Sequence, residues 1–406
     1  MAAHFYIQAE SVATFNDAMG ITPYPNDIDV MHIVSSANEF ENLRVRQEEQ
    51  KELDDLQAKC PLALEGPVND SSTKTFVLLQ AFISRLRPKG FTLISDTNYI
   101  SSNAGRVARA VFEMCLHENK AGTALKLLRL AKSIDNQFWW FQTPLRHFED
   151  ELGNNVIKAI ESRHHRGKGD VYDSLSFTLS LLDMMPEEVG QICRAKKAAG
   201  VKIQRFVGMI PKVIISCNVQ PVTSSVLKFQ IELTPDFEWQ GRWHGGAGKS
   251  CVACHPLLGK CFVLTLHFYP SFLILVFFWL WVEDAQSERI YHQEQVMFTK
   301  KTYPDSLNLE MYIPMFATTT QYILRIVSDS WVGVEIVHPI SLELTRMPKQ
   351  VVTNTDLMDL TPLPTTALQN EKYEQLFSHI ETFNAVQTQL FHVLYHTDVP
   401  VLLGGT

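Results

Sequence analysis

Residues 93–113 read LISDTNYISSNAGRVARAVFE, and this stretch decides the fold class of the chain. Apolar side chains recur there at every third or fourth position, which predicts an amphipathic helix from about 99 to 117 with the apolar stripe Val107, Ala110, Val111 and Met114. Helical periodicity also covers the flanking segments, so residues 1–150 are predicted to form an all-α helical bundle. Residues 36–39 have the spacing of a capping box and are expected to begin a helix.

The next part of the chain, residues 151–211, is predicted to be a helix-loop-helix unit. Turn residues at 186–190 and 200–202 bracket a helical hairpin. Pro211 ends this unit, because proline cannot continue a helix.

From about residue 212 the hydrophobic period changes from helical to alternating. Apolar and polar residues alternate over 227–233, so the two sets face opposite sides of a strand. About seven such runs predict an antiparallel, immunoglobulin-like β-sandwich over 212–350. The last segment, 351–406, is predicted to hold a linker and an amphipathic helix near 370–396. The predicted fold class is therefore α+β and multidomain: a helical bundle with a helical hairpin, followed by the sandwich.

The bulk composition excludes several classes of protein. The chain has 406 residues, of which 46% are hydrophobic and 20% are charged, so it can build two or three cored domains and is not a disordered protein. A net charge of −8 disfavours a strongly basic nucleic-acid-binding protein, although it is compatible with a local basic face. Seven scattered cysteines fit a reducing compartment better than a disulfide framework. Residues 1–17 lack the basic and apolar regions of a signal peptide, so none is expected.

The segment 251–255 spells Cys-x-x-Cys-His, the pattern of covalent haem attachment. Haem attachment needs an export route and a second axial ligand, and neither is evident in the sequence. A zinc site would use Cys251, Cys254, His255 and Cys261, but its spacing is unusual and its fourth ligand lies in an apolar run. We therefore expect neither a metal nor a cofactor at this segment.

Residues 245–250, GGAGKS, end like a phosphate-binding loop. The full pattern needs a glycine where Trp243 stands, and it must open a helix. The residues that follow, 251–256, are a poor helix start. A glycine-rich turn is the better interpretation.

The run 261–282 is almost wholly apolar and has nearly the ~20 residues that span a bilayer as a helix. His267 and Pro270 interrupt the run, and residues 278–283 read naturally as one strand of the predicted sandwich. A membrane span therefore stays an alternative interpretation, and a membrane partner is not expected.

Several segments of the sequence carry a family resemblance. Residues 93–113 resemble the ratchet helix of the Sec sixty-three homology module in tandem-cassette, Ski-like superfamily-two helicases. Residues 383–398 resemble the entry to the second helicase cassette, and the likeness is greatest to the subfamily of the activating signal cointegrator complex. Further segments resemble the family in its own order along the chain: 40–46, 144–148, 281–284, 289–292, 325–331 and 359–364.

The chain departs from the family in two respects that bear on function. It carries no complete ATPase motifs, so we expect no enzymatic activity from it alone. The resemblance assigns ATP, magnesium and 3′–5′ unwinding to the parent helicase. Residues 351–406 would be a linker and a truncated start of the second cassette. Residues 249–276 have no family counterpart, and we interpret them as translated intron sequence; a mature transcript that still encodes them would overturn this.

The resemblance implies that the chain is a non-catalytic module that guides single-stranded RNA or DNA and couples the motor cassettes. On the ratchet helix it points to Asn103, Arg106 and Arg109 as nucleic-acid contacts. The alternative there is a solvated helix face with an internal ion pair between Arg109 and Glu113. On the helical hairpin, phosphates would contact Arg194, Lys196, Lys197 and Lys202; the alternative is an ordinary basic surface.

The implied partners are single-stranded nucleic acid, the helicase motor domains and other subunits of the parent complex, in the nucleus, the cytoplasm or both. Two other functions stay open at this point. One is a protein-interaction scaffold without nucleic-acid affinity, which the acidic net charge favours. The other is a translocation-type protein of the endoplasmic reticulum membrane, because the same homology module occurs in a protein-translocation factor.

Overall fold

The computed structural model describes residues 2–21, 24–64, 66–164, 174–223, 225–244, 275–315, 321–342 and 360–401. The chain divides into two compact units, residues 1–348 and 349–406. Each unit is described by itself below. The motif segments 245–250 and 251–255 lie outside the described residues.

Helices dominate the first half of the larger unit, and the longest of them is α6. Its helices are α1 (Ala2–Phe5), α2 (Ala9–Ile21), α3 (Asp27–Ser35), α4 (Gln50–Gln57), α5 (Ser71–Ile83), α6 (Phe91–His117), α7 (Ala121–Asn136), α8 (Glu149–Leu152), α9 (Asn154–His164), α10 (Ser174–Ser180), α11 (Pro186–Ile192), α12 (Lys197–Gly208) and α13 (Gly241–His244).

The long helix α6 is the centre of the bundle and packs against α3, α5 and α7. Its second half, from Val107 to Leu116, is buried on every side. Its first half buries only one face, through residues such as Leu93 and Ile100. The helix begins eight residues before the predicted start at 99. The polar residues of its first turns favour caps and turns over helix interiors, and tertiary contacts keep them helical.

One of these contacts is made by a fully buried lysine, Lys74. The Lys74 ammonium on α5 lies 2.7 Å from the Glu49 carboxylate and 2.7 Å from the Asp96 carboxylate on α6. Its third hydrogen bond goes to the backbone carbonyl of Arg44 at 3.0 Å. Burial opposes ionisation of Glu49, but hydrogen bonds, first from Lys74, lower the pKa of this carboxyl to about 2. The lysine thereby ties the first half of α6 to the bundle.

The second half of the larger unit is a β-sandwich. Its strands are β1 (Val213–Pro221), β2 (Val226–Pro235), β3 (Leu275–Asp284), β4 (Ile290–Thr299), β5 (Leu307–Pro314), β6 (Gln321–Ser328) and β7 (Glu335–Ser341).

The strands form two antiparallel sheets with the orders β1-β2-β5 and β4-β3-β6-β7. The alternation over 227–233 is confirmed, because all four apolar residues of this run on β2 are fully buried. The sheets meet through rings such as Phe229 and Tyr322, whose centroids are 5.9 Å apart. Trp331 is buried, whereas Trp239 is half-buried. The predicted α+β class with a helical bundle and a β-rich region is confirmed.

The sheet order differs in one respect from an immunoglobulin constant domain. There the fourth strand pairs with the fifth, giving sheets of four and three strands in the order ABED and CFG. Here β4 pairs with β3 instead. The core between the sheets is unaffected by this switch, because β4 still turns Val296 and Phe298 inward.

Two predictions about secondary structure are wrong. The capping box expected at 36–39 does not begin an α-helix: Ser36 is the C-cap of α3, and only a 3₁₀ helix of three residues, Asn38–Phe40, follows. The helix with a side-chain cap is α3, whose N-cap is Asn26. In the smaller unit, the helix expected near 370–396 is split into α14 (Glu371–Leu376) and α15 (Ala385–His396). Asn384 starts the second helix by accepting a hydrogen bond from the Gln387 amide at 2.8 Å.

The end of the apolar run 261–282 is a strand and not a helix. Residues from Leu275 onward form β3, which pairs with β4 on one side and β6 on the other. The first part of the run lies outside the described residues. Among the residues that the structure describes, no helix is long and apolar enough to cross a membrane.

We predict that Lys74→Met destabilises the larger unit by about 3 kcal/mol, because the buried Glu49 carboxylate and the partly buried Asp96 carboxylate then keep only the half-exposed Arg46 as a cation. Urea unfolding followed by circular dichroism measures this. Lys51→Met is the matched control, because Lys51 is exposed on α4, and it is expected to change stability by less than about 0.5 kcal/mol. Equal effects of the two substitutions would contradict a stabilising role for the buried contacts of Lys74.

Candidate nucleic-acid interface

The first half of α6 presents a stripe of polar side chains to solvent. Asn98, Ser102 and Arg106 are four residues apart, so they follow one another along one face of the helix. The Arg106 guanidinium donates to the Asn103 side-chain oxygen, and the Asn103 amide donates to the Tyr99 carbonyl at 2.8 Å. In the described part of the chain, no carboxylate lies within ion-pair distance of Arg106. The stripe therefore ends in a partly exposed cation with remaining hydrogen-bonding capacity.

Arg109, the third residue expected to contact nucleic acid, has a different environment. The side chain is buried, with 9% of its surface exposed. Its guanidinium lies 2.9 Å from the Asp329 carboxylate and 3.1 Å from the Asp135 carboxylate. The residue points at the sandwich because position 109 lies on the buried second half of α6. The alternative ion pair between Arg109 and Glu113 is also replaced by these two aspartates.

Asp329 is the acceptor on which this junction converges. It follows β6, and its carboxylate also accepts a hydrogen bond from the Trp279 indole at 3.0 Å. The Trp279 ring in turn meets Phe112 of α6 edge-on, with centroids 5.1 Å apart. A second ion pair joins α7 to β7, with Arg129 and Glu335 in bidentate contact at 2.6–3.1 Å. The bundle and the sandwich therefore share a polar interface.

The helical hairpin is formed by α11 and α12, which cross at two glycines. A Cβ atom on Gly200 would lie 1.8 Å from the Pro186 carbonyl oxygen, and one on Gly190 would lie 3.0 Å from the Lys196 oxygen. Only glycine at position 200 permits this approach of the two backbones. The turn between the helices places Arg194 and Lys196 at the exposed tip.

The four basic residues predicted on the hairpin fall into two pairs. Lys197 forms an ion pair with Glu187 at 2.5 Å, and Lys202 donates to the Glu151 carbonyl at 2.5 Å. Arg194 and Lys196 are exposed, and neither has a carboxylate partner among the residues described. Arg194 and Lys196 are thus the members of the set that keep their full charge available.

The structure adds two basic residues that sequence reasoning missed. Lys158 and Arg163 of α9 line a groove of about 620 Å³ together with Arg194. Asn155, Ser162 and Gln191 are its polar neighbours, and no carboxylate lines it. The alternating charges of α9 hide this groove in the sequence, because Glu161, on the same helix, turns away to bind Arg146 at 2.7 Å. The described residues hold no cluster of side chains suited to a metal ion.

We predict that Gly200→Ala opens the hairpin, since the added methyl group collides with the Pro186 carbonyl. The free energy of unfolding of the larger unit, measured in urea, is expected to fall by about 1–3 kcal/mol. Gly208→Ala is the matched control: position 208 ends the same helix, nothing lies within 4 Å of an added Cβ, and alanine favours a helix. If both variants were equally stable, the close approach at Gly200 would not constrain the hairpin.

The buried Glu113 leads to a prediction about how the stability of the fold depends on pH. Burial raises the pKa of its carboxyl to about 7, from the ordinary value of 4.5. The folded state therefore binds more protons than the unfolded state between pH 4.5 and 7, and stability from this group falls as the pH rises through that window.

We expect Glu113→Gln to remove this loss, of the order of 2–3 kcal/mol. Urea unfolding at pH 5 and pH 8 measures it, and the difference between the two pH values should shrink in the variant. Glu41→Gln, at an exposed position, serves as the control and should leave the difference as it is. An unchanged difference in Glu113→Gln would refute the assignment.

Comparison with known proteins agrees with the sequence-based family assignment. Residues 1–255 and 273–341 match the profile of the Sec63 Brl domain. Residues 256–272, between the two matched stretches, fall inside the predicted insert at 249–276, and residues 342–406 lie beyond the match.

Curated relatives match along the whole chain. It is 36% identical over 410 residues to "Activating signal cointegrator 1 complex subunit 3" of Bos taurus. It is 34% identical over 410 residues to "DExH-box ATP-dependent RNA helicase DExH14" of Arabidopsis thaliana and 33% identical over 407 residues to "U5 small nuclear ribonucleoprotein 200 kDa helicase" of Homo sapiens. Each alignment covers 100% of this chain and 17% of the relative, so the chain spans about a sixth of their length. By these matches the chain belongs to the family of the Sec63 Brl domain.

Proposed function

We propose that this chain is the accessory module of an ATP-dependent RNA helicase and guides single-stranded RNA or DNA past the motor domains. Of the three relatives quoted above, the Arabidopsis and human proteins are named as helicases. The bovine and human proteins are named as parts of larger assemblies, the activating signal cointegrator 1 complex and the U5 small nuclear ribonucleoprotein. On this proposal the module itself catalyses nothing and binds no cofactor; ATP and magnesium belong to the motor domains of the parent helicase. Its partners are the nucleic acid, the motor domains and neighbouring subunits, in the nucleus, the cytoplasm or both.

The observation that carries the proposal is the contrast between Arg106 and Arg109 on one helix. Arg109 is neutralised by two aspartates inside the protein. Arg106, one turn earlier, sits at the end of an exposed polar stripe with its charge uncompensated by any described carboxylate. A guanidinium in that position binds a phosphate and can also stack on a base. Arg106 and Asn103 are therefore the proposed contacts on α6.

The groove beside the hairpin supplies a second phosphate-binding surface. Lys158, Arg163 and Arg194 line it without an opposing carboxylate. Positive charge of this kind binds the backbone without reading the base sequence. Lys196 extends the surface at the tip of the hairpin, while Lys197 and Lys202 contribute less because Lys197 is paired with Glu187 and Lys202 donates to the Glu151 carbonyl.

The proposed coupling of the motor cassettes is supported by the junction between the bundle and the sandwich. Buried ion pairs join α6 to the end of β6 and α7 to β7. A module held together in this way moves as one body, so a displacement at the α6 stripe is transmitted to the sandwich surface.

We predict that Arg106→Glu weakens binding of a labelled single-stranded oligonucleotide roughly tenfold and lowers the slope of log affinity against log salt by about one, because one phosphate contact is lost. Fluorescence anisotropy across a salt series measures both quantities. Lys300→Glu makes the same charge change at an exposed site on the sandwich and should leave both nearly unchanged.

Three outcomes separate the functions. A loss confined to Arg106→Glu supports strand guidance by α6. Equal losses in both variants would mean that only the overall charge matters, which contradicts the proposed site. Folded protein that binds no oligonucleotide at low salt would overturn the proposal in favour of a protein-interaction scaffold.

A further inference from the structure

A groove opens beside the start of α6. Its cavity measures about 330 Å³, and its walls come from the loop after α5, from the first turns of α6 and from the residue that follows α7. The apolar part of its walls is formed by Phe82, Leu86, Pro88 and Ile94. Asn98 is the one residue that the groove shares with the polar stripe of α6, and the hairpin does not line it.

Two carboxamides face this apolar groove. Asn98 and Gln137 both line it, and neither side-chain amide has a hydrogen-bond partner among the described residues. A carboxamide offers a donor and an acceptor side by side, which matches the edge of a nucleobase. Arg87 also lines the groove, is exposed, and meets no described carboxylate. The groove thus combines an apolar slot, two amides and two arginines, of which Arg85 is paired with Glu149 at 2.6 Å and Arg87 is not paired with a described carboxylate.

An exposed aromatic ring lies next to the groove. Phe91 has 85% of its surface exposed and precedes Ile94 by three residues, so the two share a face of α6. Ile94 is itself 40% exposed. Apolar and aromatic surface beside a cation is the arrangement on which unpaired bases stack in proteins that bind single strands.

We infer that this groove binds an unpaired base of the single strand that α6 guides. The inference rests on the proposed function and names a part of the ligand that Arg106 does not contact. Asn98 lies eight residues before Arg106 on the same helix, about 12 Å along its axis. The strand therefore places a base in the groove while Arg106 holds its backbone farther along the helix.

The test compares two ligands that have the same number of phosphates. One is a short oligo(U), and the other is an abasic oligonucleotide of the same length. The variants Ile94→Ser and Asn98→Ala remove a wall and an amide without changing the charge. Each should lower the affinity for oligo(U) roughly five- to tenfold and leave the affinity for the abasic ligand, and the salt slope, unchanged.

Ile214→Ser is the matched control, since Ile214 is similarly exposed on β1, and it should bind both ligands as the parent chain does. Circular dichroism melting of each variant separates lost binding from lost structure. Arg106→Glu should lower the affinity for both ligands alike, because it removes a phosphate contact.

Failure of the base-binding groove and failure of the proposed function give different results in this experiment. Suppose that Arg106→Glu lowers the affinity for both ligands, whereas Ile94→Ser and Asn98→Ala lower neither affinity or lower both equally. The base-binding groove is then refuted, while the proposed function stands. If no variant changes the affinity for either ligand, the proposed function fails as well. An oligo(U) preference that only the groove variants abolish establishes the site.

Discussion

The buried contact of Arg109 with Asp329 and Asp135 is the constraint on which the rest of the larger unit depends. Three elements meet in it: α6, α7 and the turn after β6. Charges in a low-dielectric interior are costly unless each is paired and hydrogen-bonded. The Trp279 indole adds a further donor to Asp329, so the carboxylate is well satisfied. Because losing any one partner would leave a buried charge, the relative position of bundle and sandwich is strongly determined.

This junction also divides α6 into two functional halves. The second half is enclosed by neighbouring helices and the sandwich, so it anchors the helix. The first half keeps one face in solvent, and Lys74 holds its other face through Asp96. A helix that is rigidly held at both ends and exposed on one side can present Arg106 at a defined place. The same division separates an arginine that stabilises the fold from one that is available to a ligand.

The sequence predicted the main elements because their patterns are local. Helical periodicity identified the bundle, alternation identified the sandwich core, and resemblance in chain order identified the family. Its errors have identifiable causes. The capping-box spacing at 36–39 coincides with the end of α3, where Ser36 is the C-cap. The pairing of β4 with β3 joins two consecutive strands, and the alternation of apolar and polar residues does not record which sheet a strand joins.

By itself, the sequence determined which segments are helix or strand, which residues face a core, and which family the chain resembles, since each depends on spacing along the chain. Only the tertiary structure decided which basic residues are available. Arg106 and Arg109 are three residues apart and look equivalent in sequence. Asp329 lies 220 residues beyond Arg109, and its carboxylate neutralises one arginine and not the other. Lys158 and Arg163 likewise join Arg194 only because α9 packs beside the hairpin. Burial and charge pairing arise from contacts between residues far apart in the chain, and they select the site.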